Sequence, residues 1–385
     1  MSVVGSASCD EYWMRQAVAL ARRGVGHTRP NPPVGAVVVR GNKTSVGRGF
    51  HRKAGQAHAE IAAMDEAGTR SKGATLYVTL EPCSTWGRTG PCTEAVIRSG
   101  VARVVIGIRD PNPKHRGRGV KALLRAGVAV TENVCADAAG ALIQPFAKWI
   151  ATGLPFLTLK LGMSMDGRIG DRSGRSRWIT GAAARRRVHE LRRGADAILV
   201  GRATVERDNP SLRPKGAGPI DSYRVVVDSD GTLSTRRRIL SDGHADRTIV
   251  ATTRRCPDAK RRAFAARSAQ VWVLPASRGG ISMRALFERL GREGLLHVVC
   301  EGGGALAASL IGLGLVDEYL FYVAPLILGG GQTVPSVGGA GWPLPSAPRV
   351  RFTGCTRCGR DILLRAVPVV SASRRGAERS ACSPA

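Results

Sequence analysis

Two α/β domains in tandem are predicted by three observations. Apolar, strand-like runs alternate with amphipathic helical stretches along nearly the whole chain, the pattern of sheets covered by helices. A length of 385 residues suits two domains. A Thr-Gly-Leu-Pro turn cluster at 152–155 splits the alternation into two series. The expected division is residues 1–150, residues 151–370, and a polar tail over 371–385 whose Arg- and Ser-rich composition predicts disorder.

In the first series, residues 10–23 read as a helix, with Asp10 as N-cap, Met14, Ala17, Val18 and Ala21 on one face, and Gly24 as its stop. Residues 34–39 form a buried strand, and Gly41-Asn42 turns the chain into a second strand over 45–50. A helix over 58–68 ends at Gly68, a strand follows over 75–80, and a helix over 92–100 ends at Gly100. Then come a strand over 102–108, a helix over 120–127, a strand over 128–132, and a helical stretch from 136 to Trp149 interrupted by Pro145. This makes a three-layer domain. In the second series, strands are predicted over 156–160, 195–201, 223–228, 246–252, 269–275 and 295–303, with a late strand segment within 316–331. No fixed-period repeat interrupts either series.

Composition narrows the function classes. Apolar residues at 43% and charged residues at 23% exclude wholesale disorder. No apolar run reaches the length of a membrane span, and the first residues lack a basic segment followed by an apolar core, so neither a membrane anchor nor a secretory signal is expected. Nine cysteines, an odd number at irregular spacing, suit a reduced cytoplasmic enzyme better than a disulfide scaffold. The net charge of +29 rests on 49 Arg and nine Lys and is spread over both halves. It fits nucleic-acid binding or attraction of phosphorylated small molecules, but the plainer reading is solvated arginine faces in an Arg-rich composition.

The first chemistry is that of a zinc deaminase. His58-Ala59-Glu60 starts a predicted helix, Pro82-Cys83 ends a strand and is expected to open the next helix, and Cys92 follows. One imidazole and two thiolates leave a tetrahedral position of one zinc ion open, as a catalytic site requires. Zinc there would activate a water. A helix N-terminus at Cys83 would favour its thiolate, and Glu60 is placed to carry protons between the water and departing ammonia. Core packing of His and Cys is the competing explanation, but the order His-x-Glu, Pro-Cys, Cys on these elements is the signature of base deaminases. The spacing between Cys83 and Cys92 is longer than that signature's, which marks the intervening loop as special.

That loop, Leu80-Glu81-Pro82-Cys83-Ser84, Gly87-Arg88-Thr89 and Pro91-Cys92, resembles the deaminase half of the bifunctional riboflavin-biosynthesis deaminase/reductases. So do residues 30–35 (Pro-Asn-Pro-Pro-Val-Gly), Gly49-Phe50-His51, and Asp110-Pro111-Asn112-Pro113. The resemblance implies a cytidine-deaminase-like fold, His58, Cys83 and Cys92 as metal ligands, Glu60 as proton shuttle, and Asn31 and His51 lining the pyrimidine pocket. Thr85-Trp86 departs from the family, which commonly has His at the second position after the first Cys, and Ala36 stands where Cys is often found.

From Pro155 onward the chain resembles the reductase half of the same family, which looks like dihydrofolate reductase in fold and uses NADPH. The matching stretches include residues 160–167, 176–180, 201–205, 208–210, 227–229 and 301–304. By this resemblance Gly162, Trp178, Thr204, Asp208, Ser229, Gly303, Gly304, Ala305 and Leu306 contact NADPH, while Ser176, Arg192, Leu212 and Glu301 face the phosphoribosyl substrate. Lys160, at a strand end, is the candidate for positioning the sugar, and Arg192 suits a bidentate grip on phosphate. Read from the residues alone, Glu301-Gly-Gly-Gly between strand and helix is either a phosphate-binding turn or a tight connection. The segment 211–215 departs from the family ending and leaves open whether Arg213 or Lys215 meets the phosphate. Cys355 and Cys358 are expected as free thiols in a hairpin loop.

The implied function is deamination of 2,5-diamino-6-(5-phosphoribosylamino)pyrimidin-4-one, then NADPH reduction of its ribosyl group to a ribityl chain. The expected partner is thus a phosphorylated pyrimidine, with no nucleic acid and no membrane, in a homo-oligomer. One alternative moves the same chemistry to a secondary pathway making a pyrimidine- or flavin-related antibiotic. Another, a nucleic-acid base deaminase, fits the charge but not the 5% aromatic content or the second domain.

Overall fold

The computed structural model describes residues 4–41, 43–86, 90–215 and 222–369. The expected tail at 371–385 lies outside the described residues, as do Asn42, Gly87, Arg88 and Thr89. By its contacts the chain forms two units, Met1–Pro155 with Leu290–Leu296, and Phe156–Arg289 with His297–Ala385.

The first unit runs α1 (Val4–Ala21), β1 (Gly35–Arg40), β2 (Thr44–Phe50), α2 (Ala59–Ala67), β3 (Thr75–Leu80), α3 (Cys92–Arg98), β4 (Arg103–Ile108), α4 (Arg118–Arg125), β5 (Ala129–Thr131) and α5 (Ala136–Thr152). Its sheet has the order β2-β1-β3-β4-β5, with β1 antiparallel to β2 and β3, and β3, β4 and β5 parallel. Side chains alternate across a strand, so the two faces collect different partners. Val37, Val39, Tyr77 and Val105 pack on Trp13, Met14 and Ala17 of α1. Ala36, Val38, Leu76, Val78, Val104 and Ile106 pack with residues of α2, α3 and α4. The result is the expected three-layer domain.

Two glycines set the position of α2. A Cβ at Gly47 or Gly49 on β2 would collide with the carbonyl oxygens of Ala63 or Ala59. Their absence lets the backbone of α2 lie directly on the strand and holds the first turn of α2, with Glu60, against the sheet.

Three local expectations are corrected. First, α1 begins at Val4, so Asp10 is a helix-interior residue and not a cap. It is buried and accepts hydrogen bonds from the Tyr77 hydroxyl (2.8 Å) and from Arg103 Nη1 (3.1 Å) and Nη2 (2.7 Å), because strands β3 and β4 bring these donors beneath the helix. Second, α5 continues through Pro145. Proline removes one backbone bond, and packing along a 17-residue helix, with Ala139 and Ile143 buried, outweighs that loss. Third, Cys83 does not open a helix; it lies in the loop after β3, and α3 starts at Cys92.

The second unit contains β6 (Phe156–Ser164), β7 (Arg168–Gly170), α6 (Ala182–Arg193), β8 (Ala197–Gly201), α7 (Arg202–Asp208), β9 (Tyr223–Val227), β10 (Thr248–Thr252), α8 (Asp258–Ala265), β11 (Gln270–Val273) and a small pair β12 (Ala276–Ser277) and β13 (Gly280–Ile281). It continues with α9 (Met283–Arg292), β14 (His297–Cys300), α10 (Gly304–Gly312), β15 (Glu318–Ala324), β16 (Val334–Pro335, paired with β7), β17 (Val350–Cys358) and β18 (Asp361–Pro368). The main sheet has the order β11-β10-β9-β8-β14-β6-β15-β18-β17, parallel from β11 to β15 and closed by the antiparallel hairpin β17–β18. Buried on both faces, its parallel strands carry the near-continuous apolar runs seen in the sequence.

Two more expectations are corrected here. Cys355 and Cys358 lie within β17 and not in a loop; being three residues apart on a strand, they face opposite sides, one exposed and one buried, and both are free thiols. Lys160 lies inside β6, paired with Leu320 of β15, and not at a strand end. Among the described residues no helix is long and apolar enough to cross a membrane.

The Asp10 cluster yields a stability test. Asp10→Ala strips a bidentate partner from Arg103 and an acceptor from Tyr77, and should cost about 3 kcal/mol. A fall in the denaturant midpoint, followed by circular dichroism, is the measurement.

Candidate active sites

In the first unit, His58 is the N-cap residue of α2, Cys83 follows the end of β3, and Cys92 opens α3. The sheet and its covering helices bring the three together: their ligand atoms all lie within 4.8 Å of one another. His58 Nδ1 is 3.1 Å from Cys92 Sγ and 3.7 Å from Cys83 Sγ. The N–H at the start of α3, that of Cys92, donates to Cys83 Sγ at 3.3 Å, so a helix start does favour a Cys83 thiolate, although Cys83 itself is in a loop. The Cys83 thiol is drawn below its ordinary value, first by its hydrogen bond with Cys92 and then by His58, while Cys92 is pushed up by the same bond. One imidazole and two thiol sulfurs in mutual reach, with no fourth protein ligand among the described residues, fit a zinc ion with an open position.

Glu60, in the first turn of α2, is 4% exposed. Burial first, and the Cys83 thiolate next, raise its carboxyl to about 6. His51 and Asn31 line the same cavity of about 420 Å³ with His58, Glu60 and Cys83. Burial lowers the pKa of His51 and keeps the ring neutral. Its Nδ1 then donates to the Ala57 carbonyl (3.1 Å), and its Nε2 accepts from Asn31 Nδ2 (3.2 Å). All six candidate residues of this half therefore converge on one cavity or its metal cluster.

Two residues escaped the sequence argument. Glu81 is buried and accepts three backbone bonds: Oε2 from Asp110 (3.1 Å) and Gly117 (3.0 Å), Oε1 from Val120 (3.2 Å). It clamps the loop between β4 and α4 onto the cavity. It stands in the Leu80–Ser84 motif, but nothing local in that motif gave it a role. His115, on that clamped loop, lines the cavity with Nδ1 3.3 Å from Thr85 Oγ1. No spacing from the metal ligands pointed to it.

In the second unit, β14 pairs with β6 as far as Cys300 with Leu159, and the next residues on each strand, Glu301 and Lys160, meet as an ion pair at 3.2 Å. Arg192 from α6 completes the cluster, with Nε to Oε1 at 2.6 Å and Nη2 to Oε2 at 2.9 Å. Burial alone would raise the Glu301 carboxyl, but the Lys160 and Arg192 charges overcome it and hold the group at about 2. Arg192 thus spends its bidentate fork on Glu301 and not on a phosphate. His189, earlier on α6, accepts the Lys215 N–H (3.3 Å), and Arg193 Nη2 reaches the Lys215 carbonyl (2.8 Å). This fixes the 211–215 segment against α6. Leu212 has φ +56° and a side chain 3% exposed in the core, so only its backbone is free to meet a ligand.

The cofactor candidates are spread along the C-terminal ends of these strands. α10 starts at Gly304 behind Gly303 with no side-chain cap, and a Cβ on Gly303 would come within 3.5 Å of Thr204 Oγ1 in the adjacent turn. Uncapped N–H groups at a helix start behind a glycine suit the diphosphate of a dinucleotide, which is the fit NADPH requires. Ala305 and Leu306 continue that first turn. Asp208 accepts from Ser176 Oγ (2.7 Å), and Trp178, 65% exposed, lies beneath Arg185. Gly162 faces Thr180. Ser229 Oγ accepts the Ile281 N–H (2.9 Å) and so ties β13 to the end of β9.

Comparison with known proteins agrees with both halves. Residues 7–108 match the cytidine and deoxycytidylate deaminase zinc-binding region, and residues 155–364 match the RibD C-terminal domain. The chain is 39% identical over 361 residues to riboflavin biosynthesis protein RibD of Bacillus amyloliquefaciens, covering 93% of this chain and 96% of that protein. The chain belongs to the RibD family. Among solved structures, RibD of Acinetobacter baumannii is similar at 35% identity with a TM-score of 0.84, over 95% of this chain and all of that one. The diaminohydroxyphosphoribosylaminopyrimidine deaminase/5-amino-6-(5-phosphoribosylamino)uracil reductase of Thermotoga maritima is similar at 31% identity with a TM-score of 0.83, over 94% of this chain and 99% of that one. This RibD-family chain is accordingly a zinc-dependent deaminase and an NADPH-dependent reductase of riboflavin biosynthesis, with a cytidine-deaminase-like domain followed by a dihydrofolate-reductase-like one.

The role of Glu81 can be tested apart from chemistry. Glu81→Ala leaves three backbone N–H groups without their acceptor and should destabilise the protein by about 3 kcal/mol. Hydrogen exchange should show residues 110–120 losing protection ahead of the rest of the first unit.

Proposed function

We propose that residues 1–150 deaminate 2,5-diamino-6-(5-phosphoribosylamino)pyrimidin-4-one and that residues 151–370 then reduce the ribosyl group of the product. The observation that carries this reading is the convergence of His58, Cys83 and Cys92 beside a buried Glu60 at the wall of one cavity. When bound, zinc supplies Lewis acidity toward a water, and NADPH supplies a hydride.

The chain's own residues do the rest. His58, Cys83 and Cys92 hold the metal. Glu60 takes a proton from the water and delivers it to the departing amine, a role suited to a carboxyl whose burial brings it toward neutrality. Asn31, oriented by His51, hydrogen-bonds the pyrimidine. In the reductase half, Gly303, Gly304, Ala305, Leu306 and Thr204 hold the NADPH diphosphate, with Gly162, Trp178, Asp208 and Ser229 along the rest of the cofactor. Lys160 positions the sugar, and Glu301 holds Lys160 and Arg192 in place. Ser176 and the Leu212 backbone complete the substrate site. Lys215, pinned to α6 on the Arg192 side, is favoured over Arg213 as the phosphate partner.

Two measurements test the deaminase assignment. Metal analysis should find about one zinc per chain, and Cys83→Ala should lose it; full zinc in that variant would refute the ligand set. Glu60→Gln should keep zinc and release ammonia from the diaminopyrimidine 10²–10⁴-fold more slowly, roughly the range of a general acid–base contribution. The same variant should still oxidise NADPH when given the deaminated substrate.

A further inference from the structure

The loop from β7 to α6 carries Ser176 and Trp178, and its last residues are held by side chains from other elements of the second unit. The Ile179 carbonyl accepts from Arg360 Nη2 at 3.2 Å, and the Thr180 carbonyl accepts from Arg185 Nη1 at 2.6 Å. The next backbone group, the Gly181 N–H, donates to Asp361 Oδ2 at 2.7 Å. Arg360 and Asp361 are neighbours at the turn between β17 and β18, far along the chain from the loop they hold.

The hairpin is seated for this contact. Asp361 is fully buried, and a carboxylate out of water needs partners in fixed places. One oxygen takes the Gly181 N–H, and the other has Arg360 Nε 3.7 Å away. The acid also faces the N-terminus of the 12-residue helix α6, where the helix dipole favours negative charge. A Cβ at Gly181 would crowd Asp361 Oδ2 and Arg360 Cγ, each at 3.3 Å. Gly359 has φ +66°, and a Cβ there would meet that of Ala183 at 2.9 Å, so the turn lies directly on the first turn of α6. Behind it, Cys358 and Leu363 pack with Ala184 and Val188 of α6.

Trp178 stands one residue before the gripped groups. Its ring is mostly exposed, so core packing does little to hold it. Its place depends on the backbone that carries it and on Arg185, whose guanidinium lies 4.6 Å from the ring centroid.

We propose that Arg360 and Asp361 are positioning residues of the reductase site: by fixing the backbone from Ile179 to Gly181 they hold the exposed Trp178 ring in place for the cofactor. This rests on the assignment of Trp178 to NADPH above and goes beyond it by naming what orients that ring.

The test is steady-state reduction of the deaminated substrate by the full chain. The Arg360 side chain is 60% exposed, so Arg360→Ala empties no core. It should raise the KM for NADPH about threefold, the scale of one lost hydrogen bond, with the effect chiefly in KM and not in kcat. Asp361→Ala should raise the same KM about tenfold, the scale of a hydrogen bond to a charged group. Asp361→Asn, whose amide oxygen still accepts the Gly181 N–H, should recover most of that loss. Trp178→Ala should raise this KM by itself, and adding Arg360→Ala to it should change nothing more, because residues that act through one another are not additive. If circular dichroism shows that Asp361→Ala does not fold, Arg360→Ala and the double variant carry the test. A KM for NADPH unchanged in Arg360→Ala, or raised equally with and without Trp178, would overturn the proposal. So would a folded Asp361→Ala variant that Asp361→Asn does not improve upon. A Trp178→Ala variant with the wild-type KM for NADPH would overturn the cofactor assignment of Trp178 itself, and the proposal with it.

Discussion

A carboxylate taken out of water must be met by enough donors or charges to replace its hydration. Each half of this chain places one such group immediately after a parallel strand, and each site is organised around it. Glu81 follows β3, its N–H bonded to Ile108 of β4; Glu301 follows β14, its N–H bonded to Leu199 of β8. Both backbones continue the sheet ladder by one residue, so both carboxyls enter the crevice at the strand ends, where α/β sheets bind ligands. The means of compensation differ. Glu81 recruits backbone N–H groups and thereby fixes a loop, whereas Glu301 recruits Lys160 and Arg192 and thereby fixes two cations.

The difference suits the two chemistries. Beside the metal cluster of the deaminase cavity, a carboxylate satisfied by three backbone N–H groups shapes the wall without a side-chain ion pair. The reductase site needs positive charge held still beside a sugar phosphate and a dinucleotide. An ion-paired carboxylate keeps Lys160 and Arg192 in one geometry, at the cost of the bidentate fork that Arg192 might have offered a phosphate. On the proposed reading the phosphate contact passes to a neighbouring group, and Lys215, pinned by His189 and Arg193, is the candidate for it.

Part of the +29 charge is spent inside the fold. Several arginines are structural. Arg224 is buried and donates to the Ser211 and Ile239 carbonyls, to Thr248 and to Asp242, anchoring the start of the 211–215 segment from below. Arg103 closes the Asp10 cluster, and Arg237 pairs with Glu206. Guanidinium groups do these jobs because a planar fork satisfies several acceptors at once.

Much was legible in the sequence because it is local. Hydrophobic alternation marked the strands of both sheets, and strand 75–80 matches β3 at both ends. The zinc cluster was legible because a catalytic metal demands particular ligand types on particular elements, and His58, Cys83 and Cys92, with Glu60 two residues from the first, satisfy that demand by identity and order alone. What the tertiary structure decided are the partners of polar groups. Asp10 reads as a cap until β3 and β4 bring Tyr77 and Arg103 beneath it. Arg192 reads as a bidentate grip for phosphate until β14 delivers Glu301 to its fork, and only the fold shows that Leu212 turns its side chain into the core and leaves its backbone to face a ligand. His115 carries no signal until Glu81 folds its loop onto the cavity. Periodicity is a property of neighbours along the chain, but a buried charge is satisfied by whatever the fold brings across from distant segments, and that is fixed only when the sheet assembles.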